Sequence, residues 1–196
     1  IKVIRYFVLI LLTSQLLACA SINKATKAQN HLLAARDVEN ISAVQQWHML
    51  GRLSVRNANK SWLTLLEWKH GALVDNLTLS TSLGGVVAKL GYSKHGMVMV
   101  DEKGVLQRVS EEQLKAMLGY TPPLEHLAYW VRGLPSPKKK VEMDKGQSMG
   151  VMRFKQEAWT IQLERFSEQG GLLLPGKITL LKDTLKIKLV IDEWLT

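Results

Sequence analysis

From Trp47 to the end of the chain, apolar residues recur at every second position in short runs, and helix-length segments interrupt those runs at one place only. The last run shows it most plainly, with Leu185, Ile187, Leu189 and Ile191 alternating with Lys186 and Lys188. A period of two puts the apolar set on one face of a strand and the lysines on the other. Trp47, Met49, Gly51, Leu53 and Val55 alternate with His48, Arg52, Ser54 and Arg56 in the same way. The next run, residues 61–69, is apolar on both faces, with Trp62, Leu66 and Trp68 on one side and Leu63 and Leu65 on the other. Further strands are expected at 73–80, 86–92, 97–101 and 105–109, and then at 151–156, 158–166, 177–182 and 185–191.

The connections are too short for crossovers. Asn57-Ala58-Asn59-Lys60, His70-Gly71, Lys94-His95-Gly96 and Glu102-Lys103-Gly104 are turn sequences, which join antiparallel neighbours. Absence of a helix between successive strands argues against a parallel α/β sheet. A long antiparallel sheet curls into a sandwich or a barrel. Three helices are expected around it. One covers 28–46, with Ala34, Val38, Ile41 and Gln45 on one face. A second opens at Ser110-Glu111-Glu112-Gln113, a capping box, and ends near Gly119. The third starts at Thr121-Pro122, carries Leu124, Leu127, Ala128 and Val131 as a stripe, and stops at Gly133 and Pro135.

Ahead of this domain lies a different kind of segment. Lys2 and Arg5 precede an apolar run that ends Leu16-Leu17-Ala18, and Cys19, the single cysteine of the chain, follows directly. A charged start, an apolar stretch too short for a comfortable bilayer span and a small residue before the cut describe a secretory leader. The thiol behind it is where a bacterial lipoprotein receives diacylglycerol, after which cleavage frees an amine that takes a further acyl chain. The expected organisation is therefore a leader at 1–18, a lipid-anchored tether at 19–29 and a single domain at 30–196. Ala20, in place of the aspartate that retains lipoproteins in the inner membrane, points to the periplasmic face of the outer membrane. More than one acyl chain gives stable anchoring, and no other cofactor is expected.

The chain has 46% hydrophobic and 22% charged residues and a formal charge of +9, of which Lys2 and Arg5 belong to the leader, leaving +7. These values describe a globular domain with a positive surface suited to anionic lipid or an acidic partner. Nucleic acid is not expected as a partner, because the six tryptophans sit within apolar patterns instead of among cations on one face. Those tryptophans fit either a packed core or the lining of a cavity.

Chemical motifs are sparse. Gly146-Gln147-Ser148-Met149-Gly150 matches the G-x-S-x-G elbow, but an elbow needs a strand before it, a helix after it and a histidine later in the chain. Here the last histidine, His126, lies upstream, and a serine without a base is a weak nucleophile. The histidines have no metal-motif spacing, so neither catalysis nor a metal site is expected. Ser82-Leu83-Gly84-Gly85 stands apart. It places a large aliphatic side chain in a turn where its neighbours offer no cover.

Read together, Leu16-Leu17-Ala18-Cys19, Gly51-Arg52, Leu83-Gly84, Trp130-Val131-Arg132-Gly133-Leu134-Pro135, Leu174-Pro175 and the run from Leu185 to Trp194 resemble the LolB family over nearly the whole chain. The resemblance implies a mainly β fold, an incomplete antiparallel barrel of about ten to eleven strands with helices covering its concave side. It implies a monomeric transfer protein that takes acylated client lipoproteins from a LolA-type carrier into an apolar cavity and inserts them into outer-membrane lipid. Leu83 and Gly84 would form the membrane-insertion loop. Trp47, Leu53, Trp62, Leu66, Trp68, Leu127, Trp130, Val131, Trp159 and Ile161 are the candidate cavity lining. The competing reading is a structural or assembly lipoprotein that binds protein or lipopolysaccharide on its basic surface around a packed core.

Lipidation of Cys19 has a direct test. Cys19→Ala is expected to yield a soluble domain that still folds and still accepts acyl chains; wild-type protein recovered in the soluble fraction without lipid label would refute it.

Overall fold

The structure, a computed structural model, describes residues 35–58, 60–101, 103–137, 139–144 and 150–195. The leader, Cys19, the 19–29 tether, the first part of the expected N-terminal helix and Ser148 with its neighbours lie outside the described residues.

Helix α1 (Ala35–Ala43) leads into β1 (Trp47–Arg56), β2 (Ser61–His70), β3 (Asp75–Ser80), β4 (Val86–Ser93), β5 (Gly96–Asp101) and β6 (Leu106–Val109). Helices α2 (Glu111–Leu118) and α3 (Leu124–Trp130) follow. The chain then returns through β7 (Val141–Met143), β8 (Val151–Gln156), β9 (Trp159–Glu164), β10 (Ser167–Gln169), β11 (Leu172–Leu174), β12 (Lys177–Lys182) and β13 (Leu185–Leu195). Eleven of these form one antiparallel sheet in the order β6-β5-β4-β3-β2-β1-β13-β12-β9-β8-β7. Its two ends, β6 and β7, are not hydrogen-bonded to each other, so the barrel is open. Leu66, Leu77 and Leu90 on one half and Ile178, Leu180 and Ile187 on the other line the same space, so the sheet wraps round a common interior. The helices fill its concave side: Leu114 of α2 packs with Met97, Met99 and Val109, and Ala128 and Trp130 of α3 with Phe154 and Ile161.

Several boundaries differ from the sequence reading. β7 and the β10–β11 hairpin were not expected, since three residues show no period. The strand expected at 158–166 ends at Glu164, where Arg165 takes a left-handed φ of 58°. Helix α3 begins at Leu124, not Thr121, with Pro123 at its cap. The capping box of α2 is formed as expected, with Gln113 N donating to Ser110 Oγ at 3.2 Å and Ser110 N to Gln113 Oε1 at 2.8 Å.

The segment after α3 ties the layers together. Trp130 Nε1 donates to Gln156 Oε1 at 2.8 Å, and that oxygen also accepts from Ser136 N. Gln156 Nε2 donates to the carbonyls of Ser136 and Lys139. The buried Arg132 donates to the carbonyls of Ala128, Ile41 and Val44, each at 2.9 Å. Its guanidinium thereby meets the exposed carbonyl end of α1, where the helix dipole favours positive charge. Gly133 has a φ of 88° and lies against Pro175 and Phe166, while Leu134 is buried with Ile41 and Leu174.

Gly51-Arg52 has an equally specific role. The β1–β13 register shifts at Leu50/Gly51, leaving Asp192 bulged out of the ladder. Arg52 grips that residue through both guanidinium bonds, at 2.7 and 3.1 Å. A Cβ on Gly51 would lie 2.6 Å from the Val190 carbonyl oxygen. Because backbone must move to admit it, Gly51→Ala is expected to cost about 1–3 kcal/mol. Thermal unfolding checks this, and an unchanged melting temperature would show that the bulge absorbs the methyl group.

Candidate functional site

Residues separated widely in the chain meet in the barrel because each strand contributes every second side chain to the interior. Leu53 of β1, Trp62, Leu66 and Trp68 of β2, and Leu77, Leu79 and Leu90 of β3 and β4 form one wall of a cavity of about 100 Å³. Ile178 and Leu180 of β12 with Ile187 and Leu189 of β13 form another. The helical layer closes it with Leu118, Tyr120, Pro122, Leu124, Leu127 and Val131. Polar groups are withheld from this space. Trp68 Nε1 turns away to donate to Asp75 Oδ1 at 2.7 Å, and burial pushes the Tyr120 phenol well above its ordinary pKa, keeping it neutral. A cavity lined this way stays dry.

The cavity continues into a wider groove of about 630 Å³ that shares Trp62, Leu79, Leu90, Leu118 and Pro122 with it. The groove runs out between α2 and the ends of β2 to β5, past Thr81 and Val87. Those two residues flank the β3–β4 turn. There Gly84 N donates to Thr81 O at 3.0 Å, Gly85 N to Thr81 Oγ1 at 3.1 Å and Thr81 N to Gly85 O at 2.8 Å. Gly84 has a φ of 86° with open space around it, so the position needs glycine for its backbone and not for room. On this bonded turn Leu83 is 96% exposed and packs on nothing. The mouth of the groove and the bare leucine therefore occupy the same end of the barrel.

Of the ten candidate lining residues, Leu53, Trp62, Leu66, Trp68, Leu127 and Val131 line the cavity. The other four do not. Trp47 stacks on His70 (4.9 Å between ring centroids) and against Trp68 and Trp194, forming a floor below it. Trp130 and Ile161 are fully buried where α3 lies directly on β8 and β9. Trp159 faces a polar cleft with Lys182 above its ring at 5.5 Å. Leu77, Leu79, Leu90, Tyr120, Ile178, Leu180, Ile187 and Leu189 are lining that the sequence reading did not name. Alternation puts Ile187 and Leu189 on the inner face, but which inner faces oppose one another depends on curvature. Among the described residues, no three histidine, cysteine or acidic side chains are grouped to hold a metal.

The architecture is that of a half-open antiparallel barrel with a dry aliphatic interior and a mouth beside an exposed apolar turn. Comparison with known proteins gives the family. The model of the outer membrane lipoprotein LolB family matches residues 45–194, and the chain belongs to that family. An outer-membrane lipoprotein LolB of Pseudomonas fluorescens is 28% identical over 98% of this chain and 96% of its own length. The namesake from Pseudomonas aeruginosa is 31% identical over 80% of this chain and 77% of its own. Among solved structures, a LolA superfamily protein from Nitrosomonas europaea superposes with a TM-score of 0.48 at 9% identity, covering 82% of this chain and 92% of that one.

The cavity makes its own forecast. Leu53→Trp is expected to fill it and weaken binding of a fluorescent apolar probe at least tenfold while the protein remains folded. Unchanged binding by titration would place the probe elsewhere.

Proposed function

We propose that this protein receives the acyl chains of client lipoproteins from a LolA-type carrier in its interior and releases them into the outer membrane through the mouth beside Leu83. The observation that carries the reading is the continuity of the aliphatic cavity and groove with the end of the barrel on which Leu83 stands exposed. An anchor at Cys19 would keep the receptor at the membrane, acting as a monomer.

Transfer free energies supply the mechanism. Each methylene withdrawn from water is worth about 0.8 kcal/mol, so a chain must stay sheltered at every stage of its passage. The closed cavity is smaller than the roughly 150 Å³ that accommodates a single benzene. Chains must therefore lie along the groove and part α2 from the sheet, replacing leucine contacts with methylene contacts. This exchange keeps affinity modest, and a bias of about 1.4 kcal/mol already favours receptor over carrier tenfold. The bilayer then takes the chains because it offers apolar surroundings without helix displacement. No covalent bond is made or broken.

Leu83 would enter the interface at the point of delivery, where a buried leucine contributes about 1.5–3 kcal/mol and a carboxylate opposes entry. Leu83→Glu is expected to leave melting and client acceptance unchanged and to block passage of the client into lipid vesicles. A lowered melting temperature, or normal incorporation into vesicles, would remove Leu83 from the mechanism.

A further inference from the structure

The antiparallel order places the hairpin turns after β1, β3, β5, β8 and β12 at one end of the barrel. This is the end that carries Leu83 and the mouth of the groove. Arg56, Lys60, Lys103, Lys115, Lys155 and Lys186 are exposed around it. None of the six is ion-paired among the described residues, and the acidic side chains described near them are Asp101 and Asp183, Glu157, which is held by Lys139, and Glu142, which is the register partner of Lys155 and is itself paired with Lys140. Asp101 is engaged in its own turn, accepting from the amides of Lys103 and Val105. At the opposite end the balance reverses: Asp37, Glu39, Glu168 and Glu193 stand against Lys94 and Arg165. Glu111 and Glu112 at the start of α2 add to the acidic side, Lys69, Lys177 and Arg153 toward that end are paired with Glu67, Glu164 and Asp144, and Arg108 of β6 is a further exposed cation there.

One pair shows that the basic end is not simply solubilising. Arg56 and Lys186 are register partners on adjacent strands, facing outward on either side of the inward Val55 and Ile187. Like charges directly opposite each other destabilise a sheet, and the fold obtains nothing from this contact. Charge spread along strand ends about an apolar tip fits a flat anionic surface, which cations meet together when the tip enters it. It does not fit a pocket for one small anion, since the cations do not converge on a common point.

We propose that the ring formed by Arg56, Lys60, Lys103, Lys115, Lys155 and Lys186 docks on anionic phospholipid headgroups and turns the mouth of the barrel toward the bilayer. The proposal rests on the reading of Leu83 as a membrane-facing tip. It adds what holds that tip in place: cations at headgroup level on one end and repulsion of the acidic end from the same surface.

The test uses the mature chain from residue 19 carrying Cys19→Ala, so that neither an acyl anchor nor the apolar leader masks docking. Binding is measured to vesicles of phosphatidylethanolamine alone and with phosphatidylglycerol, at low and high salt. Each cation near an anionic surface contributes about fivefold to partitioning. The combined Arg56→Gln, Lys60→Gln and Lys186→Gln variant is therefore expected to lose roughly a hundredfold on the anionic vesicles, as the parent does in part at high salt. It should melt no lower than the parent and take up an apolar probe equally well, since all three side chains are exposed and none lines the cavity. Equal binding of the parent to both vesicles, or parental binding by the triple variant, overturns the proposal. So does a variant that binds vesicles normally but no longer accepts a client from its carrier, which would assign the ring to an acidic protein. Failure of probe uptake in the parent, by contrast, would count against the cavity reading and leave the vesicle result standing.

Discussion

The side-chain amide of Gln156 is the fixed point of this molecule. Its oxygen and nitrogen together hold Trp130, both backbone groups of Ser136 and the Lys139 carbonyl. An amide with these partners leaves no polar group stranded, which is the condition for burying one. Helix α3 is thereby fastened to β8, and two residues further on Arg132 fastens α1 to the same unit. Burial pushes the Arg132 pKa down, and three carbonyl acceptors offset that cost. The Trp130-to-Pro135 segment is therefore a clasp, at a place remote from the cavity mouth.

This clasp divides the helical layer into two mechanical regimes. Near Gln156 the layer is pinned by directed bonds with fixed lengths and angles. Toward α2 it rests chiefly on apolar contacts, among them Met97, Met99 and Leu114. Dispersion contacts are individually weak and exchangeable, and methionine fills irregular gaps with little preference for shape. Displacing the layer would therefore break directed bonds at α3 but chiefly exchangeable apolar contacts at α2. The groove lies on the α2 side.

Much of the fold was legible because period-two alternation survives in β1, β2 and β13, the longest strands. Leu185 to Ile191, Trp47 to Val55 and Trp62 to Trp68 each mark an inner face that the sheet then uses. Legibility fails with length: β7, β10 and β11 have three residues each, too few for a period. Leu83 was legible as a leucine that its neighbours Ser82, Gly84 and Gly85 cannot shield, but the residues alone left open whether it folds back onto the core, and the structure leaves it exposed. The interior was legible only in part. Alternation tells which strand side chains point inward, and Trp47, Trp159 and Ile161 do so as clearly as Leu66, while Trp130 belongs to α3, where a period of two does not apply. What separates floor, helix seat and cavity is which strand faces which across the barrel, and that depends on curvature and on where the helices lie. The charge on the barrel end was hidden for the same reason, since Arg56 and Lys186 are distant in sequence and adjacent in the sheet.

The missing ladder between β6 and β7 has a consequence for volume. In a closed barrel the strand number and shear fix the radius, and enlarging the lumen means breaking hydrogen bonds all the way along a seam. Here the circumference is a free coordinate: the sheet can uncurl slightly with every one of its ten strand pairings retained. Capacity then becomes an elastic property of the twisted sheet instead of a fixed dimension. On the function proposed above, a fold of this kind would take guests that differ in chain number and length without a change in its strand order.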